Sequence, residues 1–215
     1  LRNDSTPRPP CFLAHLRQNG AFYNVTVYTE QPDKDFLRRV GLDENGSFYK
    51  CGPGSTYDSA GSFEKKTRLT EGNGDLQALI ASLGLTGSAL EAFVFDNIDV
   101  PGMVNFMATV AITQNIDASD KNHFLYRDTE GTREWRMLPW DQDLTFGPDA
   151  LNTDTIIYNL QNTNSPACAS HPFIGARPYT LAAGKYNRLL EAIVKVPRGR
   201  DMLMRRLRTL SDEFL

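Results

Sequence analysis

The sequence is short of the features that would direct it to a membrane, to zinc or to nucleic acid. No run of apolar residues approaches the roughly 20 that a helix needs to cross a bilayer, so no membrane segment is expected. No signal peptide is visible at the start, which opens on Leu1. Cysteine is scarce: Cys11, Cys51 and Cys168 are far apart and share no paired spacing. That argues against a zinc site, whose ligands cluster. One disulfide with a free thiol is open, and three buried thiols is the simpler expectation. Excess positive charge is also missing: 23 Lys and Arg stand against 26 Asp and Glu, a net charge of -3. There is thus no electrostatic case for a nucleic-acid partner, which shows as a clustered basic face. The most basic stretch, Arg198, Arg200, Arg205, Arg206 and Arg208, is interleaved with Leu and Met at helical spacing and reads as a solvated helix face.

What is present suits a single globular domain. The 215 residues are 40% hydrophobic and 23% charged, enough to build a core at this length. After a polar, proline-rich start, Phe12 to Arg17 and Phe22 to Glu30 form a hairpin around Gln18-Asn19-Gly20, because Asn-Gly favours positive backbone angles. Pro32 opens a short helix with Phe36, Leu37 and Val40 on one face. Asn45-Gly46 turns into a strand, Ser47 to Cys51, and Gly52 to Gly61 is a small-residue loop. Helices are expected over Asp75 to Leu83, near Ser88 to Phe95, and from Asp99 to about Gln114. The last has an N-cap in Asp99, Pro101 in its first turn and the stripe Met103, Phe106, Met107, Val110. Phe124 to Arg127 and Glu134 to Leu138 read as two strands about a turn at Gly131, the second stopped by Pro139. Asn152 to Ala176 lacks periodicity and reads as a surface excursion. Helices over Thr180 to Val194 and Arg200 to Leu210 close the chain. Strands, then helices, then a hairpin, then helices make an α+β fold rather than a parallel α/β sheet.

The chemistry concentrates between Gln114 and Gly147. A helix ends, Asp117 follows, Asn122 lies five positions on, and a hairpin returns to Pro139-Trp140-Asp141. Phosphoryl transfer needs an acceptor for a hydroxyl proton and oxygen ligands for Mg²⁺, which takes one or two carboxylates plus substrate phosphates. Protein kinases meet this with Asp-x-x-x-x-Asn on a loop and a second Asp beyond a hairpin. Asp117-Ala-Ser-Asp-Lys-Asn122 has that spacing, and the hairpin should bring Asp141 to face Asn122. The bland reading has Asp117 capping a turn and Asn122 opening a strand.

These residues resemble the spore coat protein H (CotH) kinase family. Lys121-Asn122-His123-Phe124-Leu125-Tyr126 is similar to the family's His-Asn-Tyr-Tyr-Leu-Tyr segment. Leu138-Pro139-Trp140-Asp141-Gln142-Asp143-Leu144 is similar to its Pro-Trp-Asp-x-Asp signature. Asn19 to Glu30 resembles its strand pair ending in a glutamate, and Phe48-Tyr49-Lys50 its Leu-Tyr-Lys segment. Lys121 stands where the family has His. The resemblance implies an atypical protein-kinase-like fold in one domain over 1–215. Residues 1–70 would be what remains of a strand-rich nucleotide lobe, shortened at its start, and 71–215 a helical catalytic lobe. It implies ATP-dependent phosphorylation, with Mg²⁺ or Mn²⁺, of secreted or coat proteins at a cell-surface, spore-coat or secreted address. Asp117 would be the catalytic base, Asn122 a metal or phosphate ligand, and Asp141 the principal metal ligand.

Other residues carry weaker signals. A kinase needs a phosphate-pairing lysine; Lys50, Lys65 and Lys66 are candidates, and Lys50, at a strand end, has the better context. Glu30 could pair with such a lysine, or stand as an exposed carboxylate favoured by a helix start. Asp143 could join Asp141 on one metal if the segment is a loop, or order that loop through backbone hydrogen bonds; both readings stay open. Asp120 and Asp128 are expected to be solvated, and His123 to be packed or on the surface rather than catalytic. Trp135 and Trp140 read as core aromatics beside the site. Gly52-Pro53-Gly54-Ser55-Thr56 lacks the Gly-Lys-Ser/Thr of a P-loop and reads as a turn. Two other functions compete: a non-catalytic structural or coat module that keeps the fold, and a metal-dependent glycosyltransferase using Asp141-Gln142-Asp143. The latter's crevice would need parallel strands.

Overall fold

The computed structural model describes residues 6–113, 115, 118, 120–143, 145 and 187–214. It is an α+β arrangement with antiparallel sheets. Strands β1 (Cys11–Gln18) and β2 (Ala21–Thr29) pair as a hairpin. Asn19 at φ 51° and Gly20 at φ 82° supply the two left-handed residues that such a tight turn needs. Leu13, Phe22, Tyr23 and Val27 of this hairpin are exposed, so both faces of the ribbon are apolar and uncovered among the described residues. Cys11 lies exposed as a free thiol, a correction to the expectation of three buried ones; Cys51 is free and buried, and Cys168 is outside the described residues.

Helix α1 (Lys34–Arg39) starts where the Asp33 side chain accepts from the amides of Asp35 and Phe36. A four-stranded sheet follows in the order β4-β3-β5-β6, from β3 (Ser47–Cys51), β4 (Phe63–Lys65), β5 (His123–Arg127) and β6 (Trp135–Pro139). Every pairing in it is antiparallel, and its strands come from both sides of residue 70. The three-residue β4 has no counterpart in the sequence reading. Strand β6 includes Pro139 rather than stopping before it, because β6 is the edge strand and a missing N–H is tolerated there.

The sheet is buried on both faces, which is why Phe48-Tyr49 and Phe124-Leu125-Tyr126 run apolar without alternation. Tyr49, Leu125 and Met137 face the larger core with the helices. Phe48, Phe124, Tyr126 and Leu138 face a smaller one closed by Phe36 and Leu37 of α1. The larger core is covered by α2 (Gly74–Ser82), α3 (Gly87–Asn97) and α4 (Val100–Thr113), and by α5 (Arg188–Lys195) and α6 (Pro197–Phe214). Asp99 caps α4 through the Gly102 amide, and its own N–H donates to Trp135, tying the helix start to β6. Helix α5 begins at Arg188, where Asn187 caps it, and α6 begins at Pro197, earlier than the arginine pattern suggested. Residues 152–176, read as a surface excursion, lie outside the described set. No described helix is long and apolar enough to cross a membrane.

Candidate metal and phosphate site

The site sits at the open end of the β5–β6 ribbon. The register pairs His123 with Pro139, so the next residues out, Asn122 and Trp140, are opposite one another, and the Trp140 amide donates to the Asn122 carbonyl at 3.2 Å. Asp141 is therefore one residue from the neighbour of Asn122. Both carry left-handed backbone, Asn122 at φ 58° and Asp141 at φ 52°. Asn and Asp tolerate that conformation better than most residues. It turns each side chain out of the strand's alternation, so Asp141 and Asp143 lie on a loop rather than on an extended segment. Both carboxylates are exposed. The Asp143 carbonyl accepts from the Thr145 amide at 2.8 Å, a loop-ordering role for its backbone.

Gln142, between the two carboxylates, ties the pieces together. Its Nε2 donates to the carbonyls of Asn122 at 2.6 Å and Trp140 at 2.7 Å. Its Oε1 accepts from Asn115 Nδ2 at 3.1 Å, and Asn115 is buried just beyond the end of α4. Neither residue was singled out from the sequence; the one signal was that Gln142 lies inside the Asp141–Asp143 motif. Asp117 lies outside the described residues.

The segment before β5 is also pinned. Asp120 is not simply solvated: its backbone carbonyl accepts from the Ser55 amide at 2.8 Å and its Oδ2 from the Gly54 amide at 3.3 Å. Asp128 departs from expectation too. Its carboxylate accepts from the amides of Gly131 and Thr132, and these outweigh the upward push of burial and hold its pKa below the usual range. His123 is fully buried, between Tyr57 and the Lys121 carbonyl. Burial pushes its pKa down to about 4, so the ring is neutral at pH 7. Of the tryptophans, Trp135 is core, whereas Trp140 is half-buried against Phe124 at 5.7 Å between ring centroids.

Among the lysines, Lys50 is on β3 one residue from Cys51, which pairs with His123. It is opposite Phe124 on β5 and Glu64 on β4, on the face that carries Phe124. Lys65 donates to the Gly72 carbonyl and Lys66 pairs with Glu64. Glu30 meets none of the three. Arg39 engages it through Nε at 2.9 Å and through a guanidinium NH₂, because α1 presents Arg39 beside the end of β2. Of the two readings of Glu30, a lysine partner or a lone carboxylate at a helix start, the structure shows neither: its partner is Arg39.

The candidate donors on this loop and strand end are hard oxygens: the exposed carboxylates of Asp141 and Asp143 and the amide of Asn122. That set fits Mg²⁺ or Mn²⁺ and not a soft metal. Among the described residues no three His, Cys, Asp or Glu converge, so a metal here would draw its remaining ligands from phosphate oxygens and water.

Residues 6–215 match the family described as CotH kinase protein. Over 157 residues the chain is 26% identical to the inner spore coat protein H of Bacillus subtilis (strain 168), covering 67% of this chain and 43% of that protein. The chain thus spans less than half the length of this curated relative. With its match extending over nearly every residue, this chain belongs to the CotH kinase protein family.

Proposed function

We propose that this chain is an atypical, kinase-like phosphotransferase that uses ATP with Mg²⁺ or Mn²⁺ to phosphorylate a hydroxyl on a protein, in the setting of a spore coat. The observation that carries the reading is the juxtaposition of Asn122 and Asp141 across the end of an antiparallel ribbon, each turned out of the strand by left-handed backbone. Asp141 would be the principal metal ligand, with Asn122 and Asp143 completing the protein's share. Lys50 would reach the phosphates. When bound, the metal would neutralise charge on the transferring phosphoryl group. The acceptor oxygen bonds to the γ-phosphorus as the bond from phosphorus to the ADP oxygen breaks, and Asp117 takes the hydroxyl proton.

Purified protein is tested with labelled ATP and Mn²⁺, with its own chain and a general protein as acceptors. Asp141→Asn should abolish transfer and Asp117→Asn should strongly reduce it; normal activity in both would refute these roles. A non-catalytic coat module is the second reading, favoured by the relative being a spore coat protein and by Glu30 being paired with Arg39 rather than a lysine. Calorimetric titration with ATP and Mn²⁺ separates the two, since a coat module gives no binding heat. The glycosyltransferase reading needs parallel strands leading to Asp141, and the strand that leads there is antiparallel to its neighbour.

A further inference from the structure

Residues 52–57 form neither helix nor strand, yet Ser55 and Tyr57 are fully buried and Thr56 is 8% exposed. A loop that enters the interior must hand its polar groups to partners, and here two of those partners, Asp120 and His123, flank Asn122. The amides of Gly54 and Ser55 donate to Asp120. Tyr57 Oη lies 3.0 Å from His123 Nε2, and His123 Nδ1 lies 2.8 Å from the Lys121 carbonyl. We propose that residues 52–57 are a brace that fixes the loop bearing Asn122, with Tyr57 acting through His123 as a positioning residue for the metal and phosphate site. The proposal deepens the kinase reading above and rests on it.

The direction of the chain of hydrogen bonds follows from the acceptor at its end. A backbone carbonyl only accepts, so Nδ1 carries the proton, Nε2 of the neutral ring accepts, and the Tyr57 hydroxyl donates. Phenylalanine at 57 would fill the same volume and leave Nε2 without its donor in a dry site. The far end of the brace is anchored on α5: the Arg188 amide donates to the Thr56 carbonyl at 3.0 Å and Arg188 Nη1 to the Tyr57 carbonyl at 3.1 Å. Tyr57 is held at φ 62°, a conformation that a bulky residue keeps only where its surroundings over-determine it. Because the Gly54 and Ser55 amides are spent on Asp120, this glycine-bearing segment serves the protein's own loop rather than cradling a phosphate. Asn122 is thereby held from both sides, by the brace through residues 120, 121 and 123, and by Gln142 at its own carbonyl.

Tyr57→Phe, Arg188→Ala and Arg188→Lys are compared with wild type by Mn²⁺ electron paramagnetic resonance titration in the presence of ATP, by kinetics, and by hydrogen exchange over residues 120–123. Tyr57→Phe should weaken Mn²⁺ binding roughly 10-fold, the order expected when an outer partner of a ligand is lost. It should lower kcat while leaving KM for the acceptor protein unchanged, and speed exchange over 120–123, with circular dichroism as in wild type. Arg188→Ala should move the same readouts in the same direction, and Arg188→Lys, which keeps a donor for the Tyr57 carbonyl, should restore them. Should Tyr57→Phe fail to fold, the Arg188 pair decides. Wild-type metal affinity and exchange in the folded variants would overturn the brace. If wild type itself binds no Mn²⁺ with ATP, the kinase reading fails, and exchange alone judges the brace: acceleration in the variants upholds it and wild-type rates overturn it.

Discussion

At position 142 a carboxamide does what a carboxylate of the same shape would not. Gln142 donates to two carbonyls and accepts from Asn115 with one side chain, whereas a glutamate would set oxygen against the carbonyl oxygens of Asn122 and Trp140. Gln142→Ala should therefore reduce Mn²⁺ affinity roughly 10-fold without removing a ligand, read by the same resonance titration; wild-type affinity would show that Asn122 does not depend on it. Of the candidate site, the sequence offered what spacing along the chain defines, Asp117 to Asn122 and Pro139-Trp140-Asp141; Asp117 lies outside the described residues, and the structure shows Asn122 and Trp140 opposite one another at the end of the ribbon. Gln142 and His123 were not legible in their roles. Their partners, Asn115 and Tyr57, lie 27 and 66 residues away in sequence, and no local pattern encodes such a meeting.

Among the elements, β3 is the one on which the rest is built, since it pairs with β4 on one side and β5 on the other. Its entry is tight. A Cβ on Gly46 would stand 2.6 Å from the Arg127 carbonyl oxygen and 2.5 Å from the Tyr126 ring, and the Gly46 carbonyl accepts from Thr67 Oγ1. Gly46→Ala should destabilise the fold by about 1–3 kcal/mol, the usual cost of overpacking, measured as a lower urea midpoint with an unchanged slope. Strands β3 and β5 and the β1–β2 hairpin were readable because each combines β-branched or aromatic residues with turn signals. Strand β4 was not, because three residues carry no periodicity and only the edge of β3 makes Phe63–Lys65 a strand.

Across the whole molecule, polar links join the layers as well as apolar cores. Tyr49 of β3 donates to Asp75 Oδ1 at the start of α2. Burial pushes the Asp75 carboxyl up, but the Tyr49 phenol, Ser47, the Leu76 amide and Lys65 outweigh it, and its pKa falls below the ordinary value. With the folded value below the unfolded one, the unfolded state binds the proton first. The stabilisation is complete above the ordinary carboxylate range and is lost as pH falls through the folded value. Asp75→Asn should thus flatten the acid limb of the stability curve while lowering stability at neutral pH, seen by urea unfolding between about pH 2 and pH 7; an unchanged acid limb would argue against the link. The sequence by itself determined the α+β class, most element positions and the family, because propensity, turn chemistry and motif spacing act over a few residues. Only the tertiary structure decided that β3 and β5 lie side by side, that Glu30 meets Arg39, that Lys50 is opposite Phe124 and Glu64 and that residues 52–57 are folded inward onto Asp120 and His123. Each of these joins residues distant in the chain, and such meetings are set by how the whole core packs rather than by any neighbour in sequence.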